Sequence, residues 1–216
     1  MKTIQTTILL IGLSCIGHAH AAPPAAIIED INAPKSGLAF MDYLSTGQII
    51  KLDAKDSITL GYLQSCRRET ITGGTVTIGT EQSSVSKSQL MREDVECDGG
   101  HAELSGQSKS TSAALAFRSG SKKVGLRQPE VTIYGNSPIF RLAQANAELS
   151  VERIDVKGKR YKMLLKSKHV DFSDKNISLA PGIYRAQITD GKSKIFKVHN
   201  KAEPGKAPII SRLVDL

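Results

Sequence analysis

Apolar and polar residues alternate along this chain in short bursts, broken by turn residues about every 8 to 12 positions, which is the rhythm of a sandwich or barrel. Between Ile58 and Leu63, the residues Ile58, Leu60 and Tyr62 alternate with Thr59 and Gly61, a period of two that gives one buried face. The run A-A-I-I-E-D-I from Ala25 to Ile31 reads as a first strand after an extended Pro23-Pro24 lead-in. Around Gly73-Gly74 the pattern predicts a hairpin: a two-residue loop sets Thr72 opposite Thr75 and Ile71 opposite Val76. The glycines there supply positive φ without a Cβ clash. A later strand, Asp94 to Asp98, is expected to bring Cys97 back to the start of that hairpin.

The second half repeats the rhythm. Val131 and Ile133 alternate in P-E-V-T-I-Y-G, and the apolar phase changes between Leu149-Val151 and Ile154-Val156, which predicts a bulge near Glu152-Arg153. Tyr161, Met163 and Leu165 alternate with Arg160, Lys162 and Lys166, so the outward face of this strand is basic. Pro181-Gly182 introduces a strand from Ile183 to Thr189, Asp190-Gly191 turns it, and Ser193 to His199 runs back. Between the halves, residues 105–123 are rich in Ser, Lys, Gly and Gln around the short apolar piece Ala113 to Phe117. Residues 119–128 read as a linker between two domains, 22–118 and 129–216. No segment carries a sustained 3.6-residue stripe, so the expected class is all-β: two small β-domains, the second an immunoglobulin-like sandwich.

The first residues change the picture of where this fold forms. Lys2, an apolar run from Ile8 to Ile16 and the ending Ala19-His20-Ala21 describe a secretory signal peptide over 1–21, too short for a membrane anchor. Cys15 has a poor lead-in, Gly12-Leu13-Ser14, for lipid modification. Cleavage leaves 195 residues with Cys66 and Cys97 as the only cysteines and no later apolar segment of spanning length. In an oxidising compartment those two form a disulfide, across a loop whose closure is worth about 3–4 kcal/mol. Without Lys2 the charge is 28 basic against 21 acidic residues, +7, compatible with an acidic partner.

The first half resembles the FecR-like domain of bacterial envelope proteins. The resemblance rests on the strand at Ala26 to Asp30, G-Q-I-I-K-L at Gly47 to Leu52, I-T-L-G-Y-L at Ile58 to Leu63 and T-V-T-I-G at Thr75 to Gly79. The stretch C-R-R-E-T-I-T-G-G-T-V-T-I-G, with the later C-D-G-G, is also similar to a group of secreted proteins of Gram-negative bacteria. The resemblance implies a periplasmic β-domain used in sensing or protein contacts. It does not imply transmembrane signalling, because the cytoplasmic segment and membrane span of FecR regulators have no counterpart in the sequence, and it assigns no ligand-contacting residue.

Candidate chemistry is sparse. A hydrolase needs a nucleophile, a base and an orienting group converging in space, and the mature chain offers only His101, His169 and His199, with no G-x-S-x-G. Ser84-x-x-Lys87 and Ser119-x-x-Lys122 match the S-x-x-K of penicillin-recognising enzymes in letters only, without the companion motifs. Glu93, Asp94, Glu96 and Asp98 lack the D-x-D-x-D-G pattern of a calcium loop and read as a solvated edge, so no metal or cofactor is expected. Asn176-Ile177-Ser178 fits a glycosylation sequon but reads as a turn. Arg67 and Arg68, held beside Cys66, could grip a carboxylate or phosphate, or pair internally with Glu69 or a neighbouring strand. A second candidate surface is the basic face of Arg160, Lys162 and Lys166, joined by Lys192, Lys194 and Lys197. Aromatic residues interleave poorly with it, which argues against nucleic acid.

The expectation is therefore a non-enzymatic periplasmic or secreted accessory or sensing protein that binds another envelope protein. The alternative is a module that binds an anionic envelope polymer through the second domain's basic face.

Overall fold

The computed structural model describes residues 23–99, 128–189 and 191–216. The expected leader over 1–21, nearly all of the linker over 119–128, His101, Ala113 to Phe117, the Ser119-x-x-Lys122 match and Asp190 of the second hairpin turn lie outside the described residues.

The fold is all-β. In the first domain β1 (Pro24–Asn32), β2 (Tyr43–Ser45), β3 (Ile49–Tyr62), β4 (Arg67–Ile78), β5 (Ser83–Ser86) and β6 (Gln89–Asp94) form one antiparallel sheet in the order β2-β1-β3-β4-β5, with β6 also on β4. Alternation puts Ile50, Leu52, Ile58, Leu60 and Tyr62 of β3 into one core with Ile71, Val76 and Ile78 of β4. Ala26, Ile28 and Leu44 complete it. Glu69 shares that inward phase and is fully buried, accepting hydrogen bonds from Arg92 Nε (2.6 Å) and the Ser83 N–H (3.0 Å). It thereby fastens β5 and β6 to β4. The Tyr62 hydroxyl lies 2.8 Å from Ser83 Oγ, and burial pushes its phenol up to about 12.

Two expectations in this domain are corrected. Gly73-Gly74 does not turn the chain: β4 runs through both glycines, with Thr72 opposite Ser57 of β3 and Gln89 of β6. Thr75 and Val76 instead face Lys51 and Ile50 of β3, and Ser86 and Val85 of β5. The glycines do carry positive φ (+66° and +78°), but they bend one long strand instead of joining two. The predicted strand over Asp94 to Asp98 is also displaced: β6 ends at Asp94, and Cys97 lies in the irregular stretch beyond it. The disulfide is present, joining Cys66 at the start of β4 to Cys97 across a separation of 31 residues.

The second domain comprises β7 (Val131–Gly135), β8 (Ile139–Arg141), β9 (Ala147–Arg153), β10 (Arg160–Leu165), β11 (His169–Asp171), a 3-10 turn (Ser173–Lys175), β12 (Gly182–Ile188), β13 (Ser193–Glu203), the four-residue helix α1 (Ile209–Arg212) and β14 (Leu213–Asp215). They make two sheets, β10-β9-β12-β13-β7 and β11-β8-β14. The run β10-β9-β12-β13 follows the C′-C-F-G order of an immunoglobulin sheet. β7 lies parallel to β13, and β14 parallel to β8. Phe140 of the smaller sheet packs edge-on against Phe172 (5.0 Å) and Phe196 of β13 (5.8 Å), which ties the two sheets into one core. The phase change after Val151 marks the end of β9, not a bulge: β9 pairs regularly with β10 up to Glu152 and stops at Arg153.

Candidate functional site

The two domains meet on a third apolar cluster, where Ile27, Met41 and Leu63 of the first pack with Ile139, Ile209, Ile210 and Leu213 of the second. β1 makes this possible because it is buried on both faces: Ile28 enters the first core and Ile27 enters the joint. Polar groups lock the rim. Arg141 stacks over the Tyr43 ring (4.3 Å), donates to the Met41 carbonyl (3.3 Å) and faces Asp215 (3.5 Å). The Tyr43 hydroxyl donates to Asp215 at 3.0 Å, and burial together with that carboxylate pushes the phenol upward. Near the disulfide, Asp98 accepts the Thr132 N–H at 2.7 Å.

At one side of the joint the domains leave a cleft of about 400 Å³. Its floor is the buried carboxylate of Glu29, whose Oε1 accepts the Ile210 N–H (2.8 Å) and whose Oε2 accepts Arg68 Nε (2.8 Å). Burial raises the Glu29 pKa, and the Ile210 amide and the Arg68 charge only partly offset that. Opposite stands Arg212, buried, with Nη1 and Nη2 gripping Asp171 at 2.6 and 2.8 Å. Its remaining donors reach the carbonyls of Ala207 (2.6 Å) and Ser137 (3.0 Å). Burial alone would raise the Asp171 pKa, but Arg212 and the Ser173 donors outweigh it and hold the carboxyl below its ordinary value. At the lip, Phe40 is 38% exposed and meets the His169 ring edge-on at 5.2 Å. Lys206 and Asp174, paired at 3.0 Å, close the outer wall.

Of the residues singled out from the sequence, Arg68 lines this cleft and also donates to Glu93 at 2.6 Å. Arg67 turns elsewhere, to Asp94 (3.2 Å) and Gln82 (2.6 Å). Both guanidiniums therefore pair across strands. His169 lines the cleft, whereas His199 meets the Tyr134 ring in a tilted arrangement at 4.8 Å. Among the described residues no group of His, Cys, Asp and Glu is arranged to hold a metal.

The second domain's basic face is interleaved with acid. Arg160 and Lys162 do point outward from β10, but Glu152 pairs with both Arg160 and Arg185, and Glu148 lies 3.8 Å from Lys162. Lys166 lies exposed beyond β10, and Lys192 and Lys197 are exposed too. Lys194 does not join them: it shares the inward phase of Phe196 and Val198 and is 5% exposed, so desolvation lowers its pKa.

Sequence reasoning missed Glu29 and Arg212. The signal for Glu29 was the unbroken apolar run Ala25 to Ile28 leading into an acid, the mark of a strand covered on both sides. Arg212 follows Ile209-Ile210, but nothing local reveals that a four-residue helix will be buried whole. Among the described residues no helix is long and apolar enough to cross a membrane. No family model, curated protein or solved structure matches the chain.

Proposed function

We propose that this chain is a non-enzymatic accessory or sensing protein of the bacterial envelope, periplasmic or secreted, that binds another envelope protein at the joint between its domains. The observation that supports this reading is the cleft itself. Junctions between domains are preferred binding sites, and this one is lined by ion pairs, Glu29 with the partly exposed Arg68 and Asp171 with the buried Arg212, that need no partner to form. A preformed site loses little conformational freedom on binding. The half-exposed Phe40 ring at the lip offers the aromatic anchor that protein contacts favour. The disulfide agrees with an oxidising compartment.

A photo-crosslinking residue placed at Phe40 in cells tests the proposal, with the exposed Val156 as the control position. A discrete crosslinked protein is expected from position 40 and not from 156. No product at 40, or the same products from both, removes the reading.

A further inference from the structure

A second recess lies away from the joint, and the glycine pair creates it. The β3–β4 ladder passes from Leu52 opposite Gly74 to Ser57 opposite Thr72, so residues 53–56 of β3 bow out beside Gly73. On the other edge of β4 the partner changes at the same level, from β5, which ends at Ser86, to β6, which starts at Gln89. A Cβ on Gly74 would lie 2.5 Å from the Lys87 carbonyl oxygen, so only glycine lets the three strands close in here.

The result is an open groove of about 890 Å³, bounded by Lys55 on one bank and Lys87 and Ser88 on the other, with Thr72 and Gln89 between. Among the described residues no carboxylate lines it. The lysine ion pairs of the described residues join Lys35 to Asp53, Lys162 to Glu148 and Lys206 to Asp174, so among the described residues Lys55 and Lys87 have no ion-pair partner. Of the nearby acids, Asp53 pairs with Lys35, and Asp56 accepts the Asp53 N–H at 3.1 Å.

We propose that this groove binds a segment of an acidic polysaccharide. Two ammonium groups on opposite banks supply the attraction for carboxylate or sulfate, and Thr72, Ser88 and Gln89 can exchange hydrogen bonds with sugar hydroxyls. The volume suits several rings, since sites for drug-sized ligands span about 300–1,000 Å³. Among the described residues no aromatic side chain lines the groove, so none there offers a nucleic-acid base a stacking surface. This site is independent of the joint cleft, and it places polymer binding in the first domain instead of on the acid-interleaved face of the second.

The test titrates the full chain with linear hexagalacturonate and, separately, a heparin hexasaccharide, following backbone amide shifts and calorimetric affinity. Shifts confined to Ala54–Lys55, Thr72–Gly74 and Lys87–Gln89 are expected for at least one sugar. Affinity should fall about tenfold for each lysine removed in K55Q and K87Q, the usual size for a charge-assisted hydrogen bond. Equal affinity in the K55Q/K87Q double variant, shifts centred on Arg160 and Lys162, or no shifts with either sugar would overturn the proposal. So would a hexathymidylate that binds the groove as tightly as the sugars.

Discussion

Replacing Gly61 with alanine distinguishes a tightly packed joint from two domains that merely share a chain. Gly61 lies within β3, between Ile27 of β1 and Arg68 of β4, and its φ is not positive, so alanine meets no backbone strain there. In an open strand the change would stabilise, because glycine in a strand interior costs about 0.5–1 kcal/mol relative to alanine. The joint reverses that sign. The new methyl would run into Ile210 Cγ2 and lie 2.7 Å from Glu29 Oε1. Neither can step aside: Ile210 is β-branched and 5% exposed, and Glu29 Oε1 is held by the Ile210 N–H at 2.8 Å. Overpacking of this kind costs about 1–3 kcal/mol, which leaves a net loss of up to about 2.5 kcal/mol after the strand preference is taken off. For a chain of this size that lowers the melting temperature by up to roughly 10 °C. Thermal unfolding followed by circular dichroism reads the effect, and I210A supplies the control: it removes the Cγ2 contact and leaves only the one with Glu29 Oε1, so the cost of G61A should shrink in that background. A G61A variant that melts at or above the parent temperature, with the same shift in the I210A background, would refute the packing described.

Removing the disulfide in a C66S/C97S variant should cost about 3–4 kcal/mol for a loop of this length, read by urea unfolding. A loss under about 1 kcal/mol would mean the reduced chain is already constrained. R212A leaves Asp171 and two carbonyls without their donor in a buried site and should cost about 3–5 kcal/mol, while R212M/D171N, which removes the uncompensated charge, should cost less. The carboxylates respond to pH with opposite signs. Asp171 and Asp155 have lowered pKa values, so their contribution is present above the ordinary value of 3.8 and is lost as pH falls through their folded values. Glu29 has a raised pKa, so its contribution is full below 4.5 and is lost as pH rises through its folded value. The stability of E29Q relative to the parent should therefore improve as pH rises above 4.5, and that of D171N should improve as pH falls below 3.8. Urea midpoints across pH 3–7 that show either trend reversed would contradict the assigned environments.

Local periodicity made much of the fold legible. The alternation in β3, in β10 and in the β12–β13 hairpin follows from a two-residue repeat that each strand carries by itself. The disulfide followed from two cysteines and an expected oxidising compartment. The Gly73-Gly74 pair misled because matched threonines and aliphatics on either side satisfy a hairpin and a bent continuous strand equally well. What decides between them is the length of β3, 14 residues, which presents a partner to both halves of β4. The candidate site was the least legible part. Glu29 and Ile210 touch across 181 positions, Tyr43 and Asp215 across 172, and no local pattern encodes such a pairing. The acids interleaved with the basic face escaped notice for a related reason. The outward phase of β10 was read correctly, but the acids that neutralise it, Glu148 and Glu152, come from the adjacent strand. Lys194 sits inward because it shares the phase of Phe196 and Val198, and its position on β13 outweighs its charge.

Hydrogen exchange at the Ile210 amide tests most directly whether the domains form one body with a built cleft. That N–H is buried, and its acceptor lies on the other domain, so only opening of the joint exposes it. It should exchange as slowly as the core amides of β1 and β3, and speed up markedly in E29A. Exchange as fast as that of the exposed turns, unchanged by E29A, would contradict a single body with a built cleft.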